Sequence, residues 1–240
     1  MDENVGDAKR TSVLRVNSED VSRRSSGASR SVSEGERPEH GRERECSRKT
    51  SKYYRRREAK ENSDFKEYCA SAKSHIVTTR FNNNTWLENE AYRTQYPVLK
   101  CVYATPELNS ERFLPDGVLF VLEMNNDTNR LMGIGMVRNR AIVKKHRVYS
   151  NENYNRYAYV GKHRIDRKDM TEEEEVVARV FDVLCFTGAR HMKRLQGIKA
   201  FPMDMLYKCK SIMDLVEIVK VMFRRRMDKI AVLDENVGEA

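Results

Sequence analysis

Arg190, His191, Lys193 and Arg194 crowd into one short segment of FTGARHMKRLQGIKAFP, residues 186–202. Guanidinium and ammonium groups this close together suit a phosphate: Arg offers a planar fork of donors and Lys a compact point charge. Phe186 on one side, and Ile198, Phe201 and Pro202 on the other, would pin the loop to a folded body. The stretch reads either as the cationic rim of a pocket for a phosphate or base, or as a solvated basic loop between helices. Two more clusters share that ambiguity. VRNRAIVKKHRVYS gathers Arg138, Arg140, Lys144, Lys145, His146 and Arg147, and Lys162, His163, Arg164, Arg167 and Lys168 follow. Trp86, the one tryptophan, can stack on a base or anchor a short helix to a core.

Residues for bond-breaking chemistry are harder to find. His75, His146, His163 and His191 lack metal-ligand spacing, and no Cys-x-x-Cys accompanies them. There is neither a phosphate-binding G-x-x-x-x-G-K-[ST] loop nor a G-x-S-x-G nucleophile elbow. Asp116, Glu123 and Asp127 are the carboxylates a metal-dependent nuclease would draw on. Asp127 is better explained by a turn, and the Glu172–Glu175 run by a helix start. No catalytic residue, cofactor or metal is expected.

The elements that would position these groups follow from composition. With 39% hydrophobic and 34% charged residues in 240, and a net charge of +9, the chain is too polar to be packed throughout. The positive excess favours polyanionic partners, nucleic acid first. Five scattered cysteines, Cys46, Cys69, Cys101, Cys185 and Cys209, point to reduced thiols in an intracellular protein. No apolar run is long enough for a membrane helix, so no membrane partner is expected.

Residues 1–72 are rich in Ser, Arg, Glu and Gly, almost without Ile, Leu or Phe, and are expected to be a disordered basic tail. Within it KYYRRREAK can add phosphate contacts or serve as a nuclear import address, and the Arg-Ser dipeptides suit phosphorylation. A folded domain over 73–227 and a C-terminal tail over 228–240 complete the plan. HIVTTRF, PVLKCVYA and YNRYAYVGKHRI read as strands, the last with Tyr157 and Tyr159 on one face. NNNTWLENEAYRTQ reads as a short helix capped by Asn83, Asn84 or Thr85, with Trp86, Leu87 and Ala91 on one side. GVLFVLEMNNDTNRLMGIGMVRN is a hairpin whose Gly133 and Gly135 imply a bulge or a close backbone approach. Thr171 and Glu174 form a capping box for a helix over 170–186, and 202–226 reads as one longer helix that a protein partner could use. The heptapeptides DENVGDA and DENVGEA stand near the two ends without an evident mechanism.

This order implies an α+β fold, a small mixed β-barrel or sheet with packed helices. At PDGVLFVLEMNNDTNRLMGIGMVRN and HMKRLQGIKAFP the chain resembles the PUA-like superfamily, particularly its EVE and YTH branches. Over roughly residues 74–207 it is also similar to proteins of large nucleocytoplasmic DNA viruses. The resemblance implies a non-enzymatic module binding RNA or a modified base. Trp86 and the Gly133–Gly135 hairpin would then meet the base, and Arg138, Arg140, Lys144, Arg190, His191, Lys193 and Arg194 would form the rim. Only Trp86 offers a matching indole, whereas the family's cage has two or three aromatics, and in this the chain departs from the pattern. A virion-structural or interaction protein and a metal-dependent nuclease are the alternatives.

Overall fold

The computed structural model describes residues 40–109, 113–142 and 146–238. The chain divides into Met1–Thr50 and Ser51–Ala240. The disorder expected of residues 1–39, and the first heptapeptide with it, lies outside the described residues.

From His40 to Ser71 the expected tail is instead helix α1 (His40–Ser71). Neither Gly nor Pro interrupts residues 42–71, and long unbranched Arg, Lys and Glu side chains lose little freedom in a helix. Composition argued correctly that this segment has no core of its own. Its C-terminal end docks through Phe65 and Tyr68, each 5.4 Å from the Tyr207 ring. Residues 52–64 are exposed throughout.

The sheet is built by β1 (Ser74–Phe81), β3 (Val118–Asn125), β4 (Arg130–Arg138), β6 (His163–Asp166) and β7 (Lys199–Ala200). Their order is β6-β4-β3-β1-β7, with β1 and β3 parallel and the other pairs antiparallel. β2 (Cys101–Thr105) and β5 (Tyr157–Gly161) form a separate antiparallel pair. The expected barrel is not formed. β7 is two residues long and passes straight towards a helix, so it and β6 remain open edges.

Alternation along β3 explains the layering. Phe120, Leu122 and Met124 face one core, which holds Phe181, Leu206, Val219 and Phe223. Leu119 and Val121 face the other, with Tyr103, Tyr149 and Tyr159. A strand buried on both faces must read as a continuous apolar run, which VLFVL does. The first core is roofed by α3 (Glu172–Phe186), α4 (Met203–Lys210) and α5 (Leu215–Gly238), the second by the β2–β5 pair and α2 (Asn83–Gln95).

Several boundaries differ from expectation. The expected helix over 202–226 is broken between α4 and α5, because Asp214 starts a new helix by accepting from the Glu217 amide at 3.0 Å. Leu206, Val219 and Phe223 of its stripe are buried in the chain's own core. The expected tail over 228–240 continues α5 as far as Gly238, including the second DENVG. The strand over 154–165 is divided at Lys162 into β5 and β6, which belong to different sheets. Asn82 caps α2, and Leu87 and Ala91 are exposed while Asn89 is buried.

Candidate nucleic-acid interface

The opening stretch, 186–202, wraps round one end of the sheet and is held by backbone contacts. Met192 donates its amide to Cys185 O at 2.7 Å. Arg80 reaches Met192 O at 2.5 Å, Gly197 O at 3.3 Å and the Thr78 hydroxyl at 2.7 Å. Burial pulls the Arg80 pKa down to about 10. Arg80 is the residue that sequence reading missed here, since two of its partners, Met192 and Gly197, lie more than a hundred residues away. Arg190 is exposed and held by both oxygens of Asp204, at 2.6 and 3.0 Å. Half-buried His191 accepts weakly from the Lys193 amide at 3.4 Å, and Lys193 Nζ donates to Asn129 Oδ1 at 2.6 Å. Arg194 is exposed.

Asn129 precedes β4, whereas Arg138 ends it. Eight residues of strand separate Lys193's partner Asn129 and Arg130 from Arg138 by roughly 26 Å. The rim therefore does not converge at one mouth. Arg190, His191, Lys193 and Arg194 lie towards the hairpin-turn end, and Arg138 and Arg140 at the end where β3 begins. Arg138 Nη1 donates to Asp116 O at 3.1 Å, and Arg140 Nε is 3.8 Å from an Asp116 carboxylate oxygen. Lys144 lies outside the described residues.

Trp86 is positioned by the first turn of α2, whose capping box pairs Asn82 with Thr85. Phe81 meets the indole edge-on at 5.3 Å, and the guanidinium carbons of Arg93 and Arg164 sit 5.4 and 5.5 Å from its centre. A ring already engaged by two cations is an anchor for α2. Of the two roles open to it in the sequence, helix anchor or stacking platform, these contacts fit the first.

Beneath it, Arg164 grips both oxygens of fully buried Glu123, the closest contact being 2.6 Å, and reaches Asp166 at 2.5 Å. Tyr103 donates to Glu123 Oε1 at 2.7 Å. Burial works against the Arg164 charge, but the adjacent carboxylate more than offsets this and keeps the group protonated. Burial and Glu123 together push the Tyr103 phenol well up. The hairpin glycines clear this space: a Cβ on Gly135 would stand 1.8 Å from the Tyr103 hydroxyl, and one on Gly133 2.9 Å from Glu123 Oε2. The close approach expected of them is to an internal ion pair, not to a base. A cleft of about 310 Å³ beside Trp86 is lined by Arg130, Arg167 and Lys168, but Arg167 already holds Glu175 and Asp182, each at 2.7 Å.

The end of the sheet where β3 begins is different. A cleft of about 380 Å³ has an apolar floor of Leu99, Val118, Met136 and Val160, with Arg138, Lys162 and His163 on its walls. Leu99 is shared with a second cleft of about 510 Å³ formed by Tyr92, Gln95, Tyr96, Pro97, Val98, His146 and Arg147. Among the described residues, no carboxylate lines either cleft. Tyr92 of α2 and Tyr96 at its C-cap are four residues apart, their ring centres separated by 4.7 Å at 39°. The Tyr92 hydroxyl shares a hydrogen bond with His146 Nδ1, and burial raises the Tyr92 pKa. Tyr96 is 44% exposed, at the point where Pro97 ends the helix. The signal for this pair, tyrosines four apart followed by Pro in AYRTQYP, is local to the sequence.

On α1, Lys52, Arg55, Arg56, Arg57 and Lys60 are all exposed, with Arg57 paired to Glu61 at 3.1 Å. At 100° per residue, Lys52, Arg56 and Lys60 form a stripe opposite the docked Phe65 and Tyr68. Among the described residues, no three His, Cys, Asp or Glu side chains are placed to hold a metal ion, and no helix is long and apolar enough to cross a membrane.

Comparison with known proteins decides nothing further. No family model, curated protein or solved structure matches the chain.

Proposed function

We propose that this protein is a non-enzymatic nucleic-acid-binding module that holds the phosphate backbone at the sheet end where β3 begins. One observation carries the reading: two adjoining clefts share Leu99, carry Arg138, Lys162, His163 and Arg147, and have no carboxylate among the described residues of their lining. Exposed Arg and Lys side chains beside an apolar floor, with Arg147 shared only at the rim with Glu152, favour a polyanion with a flat apolar component, which is what a nucleotide chain presents. The exposed basic run of α1 adds phosphate contacts from a second element. A PUA-like origin belongs to this proposal with one change: the contact surface is the end of an open sheet, not a barrel mouth.

A second reading, an interaction protein, is favoured by α3. Val176 and Val183 are 52% and 58% exposed and lie on one side of that helix, with half-buried Val180 between them.

The test is equilibrium binding of the full chain to single- and double-stranded RNA and DNA across a salt series. Three cationic phosphate contacts, from Arg138, Lys162 and Arg147, predict a log–log salt slope of about −2 on a single strand. Absence of binding at low salt, together with a stable protein complex, would move the assignment to the second reading.

A further inference from the structure

The cleft of about 510 Å³ between α2 and His146 is of ligand size, about 300–1,000 Å³ being usual. Its features are complementary to one kind of group. Tyr96 offers a partly exposed ring braced from behind by Tyr92, and Tyr92 is fixed in turn by its hydrogen bond to His146. Val98, 71% exposed, and Pro97 extend the apolar surface, while the Gln95 amide supplies both a donor and an acceptor at the margin. Arg147 stands at the rim, 3.5 Å from Glu152 and 72% exposed, so its guanidinium remains open to solvent. Beyond Leu99 the neighbouring cleft continues with Arg138 and Lys162.

We propose that this cleft takes one unpaired nucleobase, stacked on Tyr96, and that the flanking phosphates run past Arg147 on one side and Arg138 and Lys162 on the other. The proposal rests on the nucleic-acid reading and narrows it to single strands. In a duplex each base face is covered by its neighbours, so a stacking cleft can be filled only by a base free of the helix. A proline-rich peptide also suits a tyrosine-lined groove, but it calls for no cations, and both clefts carry them.

The experiment uses the full chain and a fluorescently labelled oligothymidylate. An abasic deoxyribose-phosphate oligomer of equal length and the matching duplex serve as the other probes. The wild type is expected to bind the base-bearing strand at least about tenfold more tightly than the abasic one, within the range of single-base stacking. Tyr96→Ala should remove that difference and leave abasic binding unchanged, and Tyr96→Phe should restore it. Equal binding of both strands by the wild type overturns the base site while leaving phosphate binding intact. So does a Tyr96→Ala loss that is the same on both strands, or a proline-rich peptide that competes for the cleft. Failure to bind any of the three oligomers removes the nucleic-acid reading itself, and this proposal with it.

Discussion

Glu123 sits at the centre of the molecule with no exposed surface, and only Arg164 and Tyr103 make that position tolerable. Removing one member of a buried ion pair leaves the other charged and unpaired, at a cost of about 3–5 kcal/mol. Glu123→Gln should therefore destabilise the chain by about that amount in denaturant unfolding, with loss of Arg164's hold on Trp86. A change under about 1 kcal/mol would show that water or another group replaces the carboxylate. In sequence, Glu123 reads as a polar break in an apolar run, and its partner lies 41 residues away. The two glycines that make room for it were recognised as close-approach positions, yet nothing local says what approaches. Trp86 shows the same limit: its type is legible, but the two guanidinium groups against it come from a later turn of α2 and from β6.

At the scale of elements, α3 is held by its acidic first turns. The Arg167 guanidinium is the main cause that brings the Glu175 carboxyl down to about 2, and Arg226 holds Glu174 below the usual range. Arg190 does the same for Asp204 on α4. A depressed folded-state value means that stability is complete above the unfolded glutamate value of 4.5 and lost as pH falls towards about 2. The melting temperature should thus be level down to about pH 5 and fall steeply from there to about pH 2. A flat profile over that interval would mean that these pairs do not couple to folding. α3 and the β3–β4 hairpin were legible because capping residues and turn residues are local signals. The break between α4 and α5 was legible in principle, since Asp214 and Glu217 stand at capping spacing, but continuous apolar periodicity hid it. α1 was missed because a low count of apolar residues excludes a core, not a helix that docks through two rings.

Over the whole molecule, the question is which cations share a surface. Sequence proximity grouped Arg190, His191, Lys193 and Arg194 well enough, but β4 carries Arg138 and Arg140 to the opposite end. Strand length decides this: β4 keeps its two ends roughly 26 Å apart whether or not the sheet closes. Pairing further divides the set, since Arg190 is already neutralised by Asp204 whereas Lys162 is exposed at the β5–β6 corner. The most direct measurement compares two charge-reversed variants of the full chain, Arg138→Glu with Lys162→Glu against Lys193→Glu with Arg194→Glu, for single-strand binding over a salt series. The first pair should weaken low-salt binding at least about tenfold and flatten the log–log slope by roughly 1.4, as loss of two phosphate contacts requires, while the second changes little. A larger loss from the Lys193 and Arg194 pair, or equal losses from both, would contradict an interface at the start of β3.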